Sequence, residues 1–232
     1  MARRGRRAVG AGSKRRPGPR RGRPAAAGTR DDLLRAGAEV FGERGFEGAT
    51  AERIARRAGA TKAMINYHFG SKEGLYEAIL LATFTELVGR LEAVHAAGGP
   101  APDQLRAYIE AIARAAADNP TFPAMMVREA LSGGAHLPEP ALPRIAGVLG
   151  VVRAVVEQGI AEGAFRKVNP LLTHITLVGS LLFYLATGSF RARAVARVKA
   201  PEGPPTTAAF VAHIQELMVR GLAADAAPRR RS

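Results

Sequence analysis

Apolar residues recur every three or four positions along most of this 232-residue chain, and the apolar–polar alternation of β-strands is almost absent. Pro and Gly separate the successive apolar runs. Residues 189–205, which are basic and contain Pro, are predicted to form a loop. The sequence therefore predicts an all-α fold of about nine helices, over residues 29–44, 51–58, 61–69, 71–98, 102–119, 121–131, 140–163, 170–188 and 206–224.

The charge pattern separates two tails from a folded region. Residues 1–28 contain ten Arg or Lys and no acidic residue, so they supply +10 of the formal net charge of +14 and leave +4 for the other 204 residues. This composition is typical of a disordered, solvated tail, and the same charges suit contact with DNA phosphate or another polyanion. Residues 227–232 form a second, short basic tail.

The residue types exclude several kinds of chemistry. The chain has no Cys, which excludes disulfides, thiolate metal sites and Cys nucleophiles. Its five His residues are far apart, without an HExxH pair or a Ser–His–Asp order, and its Gly-rich stretches lack a phosphate-binding context. We therefore expect a protein that is not an enzyme and that uses neither a metal nor a cofactor.

One apolar stretch, residues 171–190, has about the 20 residues of a membrane span. His174 and several Ser and Thr interrupt it, and no second such stretch exists, so a helix buried in a protein interface is the favoured interpretation. The N-terminal arginines are not followed by the apolar segment of a secretory signal. We expect a cytoplasmic protein with no membrane partner.

Two of the predicted helices are joined by a tight turn. Residues 51–58 and 61–69 are separated by a Gly-Ala dipeptide, which is the spacing of a helix-turn-helix motif. Residues 50–72 contain five Arg or Lys against one Glu, whereas residues 29–49 contain three basic and five acidic residues. Positive charge is therefore concentrated where such a motif docks on DNA.

The second helix of the motif has two chemically different sides. On a helical wheel, Ile65 and Phe69 share the apolar side, and Ala63, Asn66 and Tyr67 share the other. An Asn amide reads adenine bidentately, and Tyr and Lys side chains reach phosphates or base edges. This hydrogen-bonding face predicts a helix that lies in the major groove of DNA.

Residues 29–76 resemble the N-terminal DNA-binding domain of TetR/AcrR family transcriptional regulators. The resemblance rests on the string FGERGFEGATAERIARRAGATKAMINYHFGSKEGLY, in which the turn Tyr-His-Phe-Gly-Ser-Lys is the most specific part. The tripeptide Asn66-Tyr67-His68 resembles a CecR-like subgroup of that family. The rest of the chain resembles the family in layout alone, with about six further helices.

The resemblance implies a set of DNA contacts. It places base contacts at Lys62, Ala63, Met64 and Asn66, phosphate contacts at Tyr67 and His68, the start of the positioning helix at Thr50 and Ala51, and a backbone contact at Lys72. Packing is the alternative for Met64 and His68, and a solvated charge is the alternative for Lys72. Many family members have Tyr in place of Asn66 and a small or hydroxyl residue in place of Met64, so base preference does not transfer.

The family resemblance further implies that residues 77–226 bind a small-molecule effector and form a dimer. Helix 170–188 is apolar on more than one side, so together with helix 206–224 it is predicted to build a four-helix homodimer interface. Plain core packing is the alternative for each pocket candidate. The predicted pocket residues are Phe84, Leu87, Tyr108, Ile112, Phe122, Met125, Met126, His136 and Tyr184.

These expectations define a function. The chain is predicted to be a dimeric repressor that binds a palindromic operator in double-stranded DNA and is released by a small-molecule effector. Two alternatives stay open: a non-specific architectural DNA-binding protein that binds through its arginine-rich tails, and a ligand-dependent activator. A preference for one DNA sequence over a shuffled duplex separates the first alternative from the regulators.

Overall fold

A computed structural model describes residues 29–198 and 203–224, and this part of the chain is helical with no strand beyond an isolated bridge between Phe165 and Ala223. The predicted all-α fold is thereby confirmed, while both predicted tails lie outside the described residues. The ten α-helices are α1 (Arg30–Gly48), α2 (Ala51–Arg57), α3 (Lys62–Phe69), α4 (Lys72–Ala96), α5 (Ala101–Asp118), α6 (Phe122–Leu131), α7 (Leu142–Ala161), α8 (Pro170–Ala186), α9 (Gly188–Val198) and α10 (Thr207–Leu222).

Side-chain caps fix where several helices begin. Thr29 and Asp32 form a reciprocal capping box at the start of α1, and Ser71 Oγ accepts a hydrogen bond of 3.1 Å from the backbone N–H of Gly74 at the start of α4. The end of α1 differs from the prediction. Helical structure resumes after a break at Gly45, where φ is +71°, and continues to Gly48.

The predicted loop over residues 189–205 is wrong for its first part, because Gly188–Val198 forms α9. Ala and Arg are strong helix formers, and Pro does not occur before residue 201 in this stretch. Arg191 also fixes the start of α9: its guanidinium lies 3.5 Å from the ring centroid of Tyr184 and donates to the backbone carbonyl of that residue. The described part of the chain therefore has one helix more than the nine predicted, and the contact with Tyr184 helps to stabilise it.

Helix α4 is the central element of the molecule. It packs against α1 and α3 near its N-terminus, and against α5 and α7 further along. Close approach to α1 depends on Gly37, where a Cβ would lie 2.8 Å from Ile79 Cδ1. The predicted domain boundary between residues 76 and 77 falls inside this continuous 25-residue helix. Movement of α4 therefore affects both parts of the molecule.

The apolar stretch at residues 171–190 divides into α8 and the beginning of α9. Within the described ranges, none of the individual helices has the length and apolar character needed to cross a membrane. Helices α8 and α9 together satisfy that test by length and composition, but their axes are bent by 73° relative to each other.

Candidate DNA-binding face and effector cavity

A glycine-dependent turn sets the angle between α2 and α3. Gly59 has a φ of +66°, a conformation that favours glycine, and the Ala60 N–H donates to the Ala55 carbonyl over 2.8 Å. The fully buried Ile65 then attaches α3 to the core. These contacts leave the opposite side of α3 facing outwards.

The exposed side of α3 is formed by Lys62, Ala63, Asn66 and Tyr67, which we call the recognition face. Tyr67 is 84% exposed, an unusual fraction for a large aromatic side chain. The exposed Asn66 amide and Tyr67 hydroxyl provide hydrogen-bond donors and acceptors, and neither side chain packs in the hydrophobic core. Their arrangement suits contact with base edges and phosphates in the major groove.

Met64 and His68 lie at the margins of the recognition face. Both are half-buried, and Met64 packs against the hydrophobic core. The His68 ring meets the Tyr67 ring edge-on, with 4.9 Å between their centroids. Met64 and His68 are therefore each partly engaged in packing, and part of each side chain stays accessible for DNA. His68 also contacts the exposed Tyr67 ring and helps to orient it.

The basic residues near α3 are partly engaged within the protein. Lys62 Nζ lies 2.7 Å from Glu52 Oε1, and this hydrogen bond lowers the pKa of the Glu52 carboxyl. Arg57 pairs with Glu39 and Glu43 at 2.9 and 3.0 Å. Solvent screens exposed pairs of this kind, so Lys62 can exchange Glu52 for a phosphate at little cost.

Lys72 points towards the end of α1 rather than into open solvent. Its Nζ donates to the carbonyls of Phe46 and Ala49 over 3.2 and 3.4 Å and lies 4.0 Å from the centroid of the Phe46 ring. Thr50 caps α2, because its Oγ1 accepts from the Arg53 N–H over 3.3 Å. Ala51 is the partly buried first residue of α2. These residues position the motif through internal contacts.

A second candidate site lies among α4, α5, α6, α7 and α8. An apolar, partly open cavity of about 100 Å³ lies there, and five of the nine predicted pocket residues line it: Phe84, Leu87, Ile112, Phe122 and Met126. The rings of Phe84 and Phe122 meet edge-on in the wall, with 5.2 Å between centroids. We call this space the effector cavity.

Three of the other predicted pocket residues have different packing roles. Tyr108 is fully buried and donates to the Val148 carbonyl over 3.0 Å, and burial raises its pKa. Met125 is almost fully buried in the core beside the cavity lining. Tyr184 stacks on Phe210 with 3.8 Å between ring centroids, away from the effector cavity. Residue type alone, whether aromatic or Met, did not distinguish these core positions from lining positions.

The fourth, His136, belongs to a junction between α1, α4 and the segment after α6. Its ring stacks on Phe46 at 4.6 Å, and its Nε2 lies 2.9 Å from Glu47 Oε1. Glycines at 133 and 134 have φ values of +71° and +77° and turn the chain back towards α1. The sequence prediction missed this return, which removes His136 from the effector cavity.

The junction is centred on a buried carboxylate. Glu129, 2% exposed, accepts from the Tyr76 hydroxyl over 2.7 Å and from the His136 backbone N–H over 3.2 Å. Burial and the hydrogen bond to Glu129 raise the pKa of Tyr76. We call Phe46, Glu47, Tyr76, Glu129 and His136 the coupling cluster, because it joins the helix-turn-helix region to the helices around the cavity.

His174 is a lining residue that the sequence analysis did not include in the pocket. It projects from α8, and its Nδ1 is buried with no hydrogen-bond partner among the described residues. Burial lowers the pKa of this imidazole. The signal was present in the sequence, since His174 is the one His within the apolar stretch 171–190.

A helix-turn-helix with an exposed polar recognition face, attached to a helical bundle that encloses an apolar cavity, defines a DNA-binding transcriptional regulator. Comparison of the sequence with known families supports this class. Residues 33–79 match the family described as bacterial regulatory proteins, tetR family, and residues 102–203 match the tetracyclin repressor-like C-terminal domain. The chain belongs to the TetR family.

Individual relatives agree with the family assignment. The transcriptional repressor NicS of Pseudomonas putida is 33% identical over 162 residues, which are 67% of this chain and 74% of NicS. The transcriptional activator FasR of Mycolicibacterium smegmatis is 38% identical over 82 residues, which are 35% of this chain and 37% of FasR. These relatives confirm a regulator and not an enzyme.

Solved structures agree with the fold. The TetR family regulator PfmR of Thermus thermophilus superimposes with a TM-score of 0.62 at 28% identity, covering 81% of this chain and 97% of PfmR. The predicted helix-turn-helix and C-terminal helical layout are therefore confirmed. The resemblance to a CecR-like subgroup is not tested by these matches and stays a prediction.

Proposed function

We propose that this regulator binds a palindromic operator as a homodimer and releases it when a small molecule occupies the effector cavity. The observation that carries the proposal is the exposed recognition face of α3, which combines Asn66, Tyr67 and Lys62. Direct contact with chromosomal DNA implies a cytoplasmic location. Control is proposed to be repression, as in the relative named as a repressor.

The proposed dimer surface is the outward side of α8 and α10. Leu172, Ile175 and Phe183 of α8 are each more than half exposed, as is Leu217 of α10. Large apolar side chains clustered in this way are typical of an interface that a second copy covers. Two-fold pairing of this surface would give two recognition helices for two half-sites about 34–36 Å apart.

The proposed effector response depends on the size of the cavity. A volume of about 100 Å³ is well below the roughly 300 Å³ of small ligand pockets, so an effector larger than one ring must widen the space. The walls on α4 and α6 include Phe84 and Phe122, and the same two helices carry Tyr76 and Glu129 of the coupling cluster. Widening would therefore strain the Tyr76–Glu129 hydrogen bond between these helices, and the strain would reach α1 through Phe46, whose ring meets that of Tyr76.

Thermodynamic linkage gives this response its direction. If the effector prefers the widened cavity and DNA prefers the arrangement described here, then each ligand weakens the binding of the other by the same factor. Coupling of about 1–3 kcal/mol is typical of such pairs of sites. An effector that binds the protein yet leaves operator affinity unchanged would contradict the proposal.

The first experiment is fluorescence anisotropy with DNA from upstream of the protein's own gene and with a shuffled duplex, over a salt series. We expect a preference on the order of 10³-fold for the upstream duplex, retained after deletion of residues 1–28. Asn66→Ala should remove about 5- to 150-fold of that preference, since one base-reading contact contributes about 1–3 kcal/mol. Tyr67→Ala, which removes the predicted phosphate contact, should weaken binding to both duplexes alike.

The matched control is Leu131→Ala, because Leu131 is also 84% exposed but lies at the end of α6. It should bind the upstream duplex like the unmodified chain. Equal binding of the two duplexes, with a steep salt dependence that disappears with residues 1–28, would instead indicate a non-specific architectural DNA-binding protein.

The dimer is tested by sedimentation of Phe183→Glu. Two-fold symmetry would bury two unpaired carboxylates, so we expect the dimer to weaken on the order of 100-fold or more. Leu131→Glu is the control for adding a carboxylate at an exposed apolar position. A Phe183→Glu protein that remains as dimeric as this control would exclude α8 from the interface.

Activation is a second candidate for the sign of control. The activator FasR is similar to this chain over 82 residues, so similarity to these regulators does not by itself fix the sign. In vitro transcription from the upstream duplex separates the two: a repressor lowers transcript yield when added, and an activator raises it.

A further inference from the structure

The effector cavity has an unusually simple wall. Among the described residues that line it, none has a carboxylate, ammonium or guanidinium group. Thr83 carries the one hydroxyl in the described part of the wall. Its O–H already donates to the Ile79 carbonyl over 2.9 Å, and its oxygen accepts from the Asn119 amide over 3.3 Å. A charged ligand group would therefore be buried without a counter-charge, which strongly disfavours its binding.

His174 is the exception to this apolar wall. Its Nδ1 is buried and makes no hydrogen bond within the described part of the chain. Leaving a buried polar atom unpaired is unfavourable, so a ligand group that pairs with it gains affinity. Since burial lowers the pKa of His174, the ring is neutral near pH 7 and Nδ1 either donates or accepts a single hydrogen bond, according to its tautomer.

We infer that the effector is an uncharged, mainly apolar molecule with one hydroxyl or carbonyl group that hydrogen-bonds to Nδ1 of His174. The inference rests on the proposed function and names the chemical class of its ligand. Apolar contacts with the two phenylalanines and Met126 supply affinity, while the His174 hydrogen bond orients the molecule. A carboxylate finds no cation in the described wall, and an ammonium finds no anion.

The size of the cavity selects suitable probes. A cavity of roughly 150 Å³ holds benzene, so a space of about 100 Å³ suits one six-membered ring when the flexible Met126 side chain moves. Benzyl alcohol, toluene, benzoate and benzylammonium share this ring and differ in the attached group. They test the hydrogen bond and the absence of charge separately.

Binding of the four probes to the full chain is measured by ligand-observed NMR titration. In His174→Leu we expect the ratio of benzyl alcohol affinity to toluene affinity to fall about three- to tenfold, as for loss of one net hydrogen bond. His174→Gln keeps a hydrogen-bonding group and should retain more of the ratio. Benzoate and benzylammonium should bind at least about tenfold more weakly than benzyl alcohol.

Ala116→Phe is the control for location, since Ala116 is a buried lining residue and the added ring fills the cavity. It should abolish binding of both benzyl alcohol and toluene. The inference is overturned if the affinity ratio is the same in His174→Leu, if benzoate or benzylammonium binds as well as benzyl alcohol, or if none of the probes binds. Operator binding without probe, measured by anisotropy on the same proteins, tests the DNA-binding proposal independently of these outcomes.

Discussion

The recognition face and the effector cavity are built in opposite ways. The recognition face is formed within the eight residues Lys62–Phe69, and its polar side chains are exposed. The cavity is formed by side chains from five helices between residues 83 and 182, and among the residues that the structure describes its wall is apolar except at Thr83 and His174. One site is therefore set by local sequence, and the other by how distant helices pack.

This difference gives the two sites different mechanical properties. The recognition face depends on short-range features, such as the Gly59 turn and the anchor Ile65, which keep its residues in fixed positions relative to each other. The cavity changes shape whenever one of its helices moves. Under the proposed function, a ligand would therefore alter the orientation of the recognition face as a unit, through the coupling cluster, rather than the internal arrangement of α3.

The largest expected effect comes from a substitution that disrupts the helix-turn-helix region and leaves the helices around the cavity unchanged. Gly74 lies at the start of α4, and a Cβ there would lie 2.0 Å from the backbone oxygen of Phe69 at the end of α3. Gly74→Ala should destabilise the helix-turn-helix region by about 3 kcal/mol. Hydrogen exchange should show loss of protection in α1–α3, with protection retained in α7 and α8.

Gly89→Ala is the matched control, because Gly89 lies in the same helix and a Cβ there meets no atom within 4 Å. Replacing a helical glycine should stabilise α4 by up to about 1 kcal/mol. Uniform loss of protection throughout Gly74→Ala, including α7 and α8, would mean that the two regions unfold as one unit. The helix-turn-helix region and the helices around the cavity would then not differ in local stability.

A smaller effect is expected from the connection between the two regions. Tyr76→Phe removes the hydroxyl that donates to Glu129 and leaves a buried carboxylate with one fewer donor. We expect a loss of about 1–2 kcal/mol in the free energy of unfolding, measured by urea denaturation. Tyr67→Phe is the control, since the Tyr67 side chain is 84% exposed, and its stability should be unchanged. Equal free energies of unfolding for Tyr76→Phe and Tyr67→Phe would show that the hydrogen bond between Tyr76 and Glu129 does not stabilise the fold.

The contrast between the sites also explains what the sequence predicted. The helix-turn-helix could be predicted from the sequence because the spacing of α2 and α3, the capping residue of α2 and the polar face of α3 all lie within one short stretch. Only part of the cavity lining was predicted, because apolar residues such as Phe84 and Met125 cannot be distinguished by residue type. Which of them lines the cavity depends on the helix that packs against it. His136 was assigned to the pocket although two glycines turn it towards α1. Helix α9 was missed because Arg191 contacts α8 only in the folded chain.

Lys72 shows the same limit within the DNA-binding region. The resemblance implied contact with the DNA backbone, but its amine donates to two carbonyls at the end of α1. Charge and position in the sequence do not distinguish these two partners. The distinction depends on the distance between the end of α1 and the start of α4, which is a tertiary property.

The smallest expected effect concerns pH and separates the cavity from the rest of the molecule. Burial lowers the pKa of His174 in the folded chain, while the unfolded chain has a His pKa of about 6.5. The unfolded state therefore binds more protons as the pH falls through about 6.5, and His174 makes the folded state less stable there. The slope is below about 1.4 kcal/mol per pH unit, the limit for one proton, and solvent screening of this half-buried ring reduces it further.

His174→Leu removes this titration, so the stability advantage of the unmodified chain over His174→Leu should shrink, or a disadvantage should grow, between pH 7 and pH 5.5. Urea denaturation at both pH values measures the change, with His213→Leu as the control because His213 is exposed on α10. A pH-independent difference for His174→Leu would mean that the imidazole is solvated in the folded protein. The unpaired Nδ1 would then not be a vacant partner for a ligand, and the cavity would select its effector by shape alone.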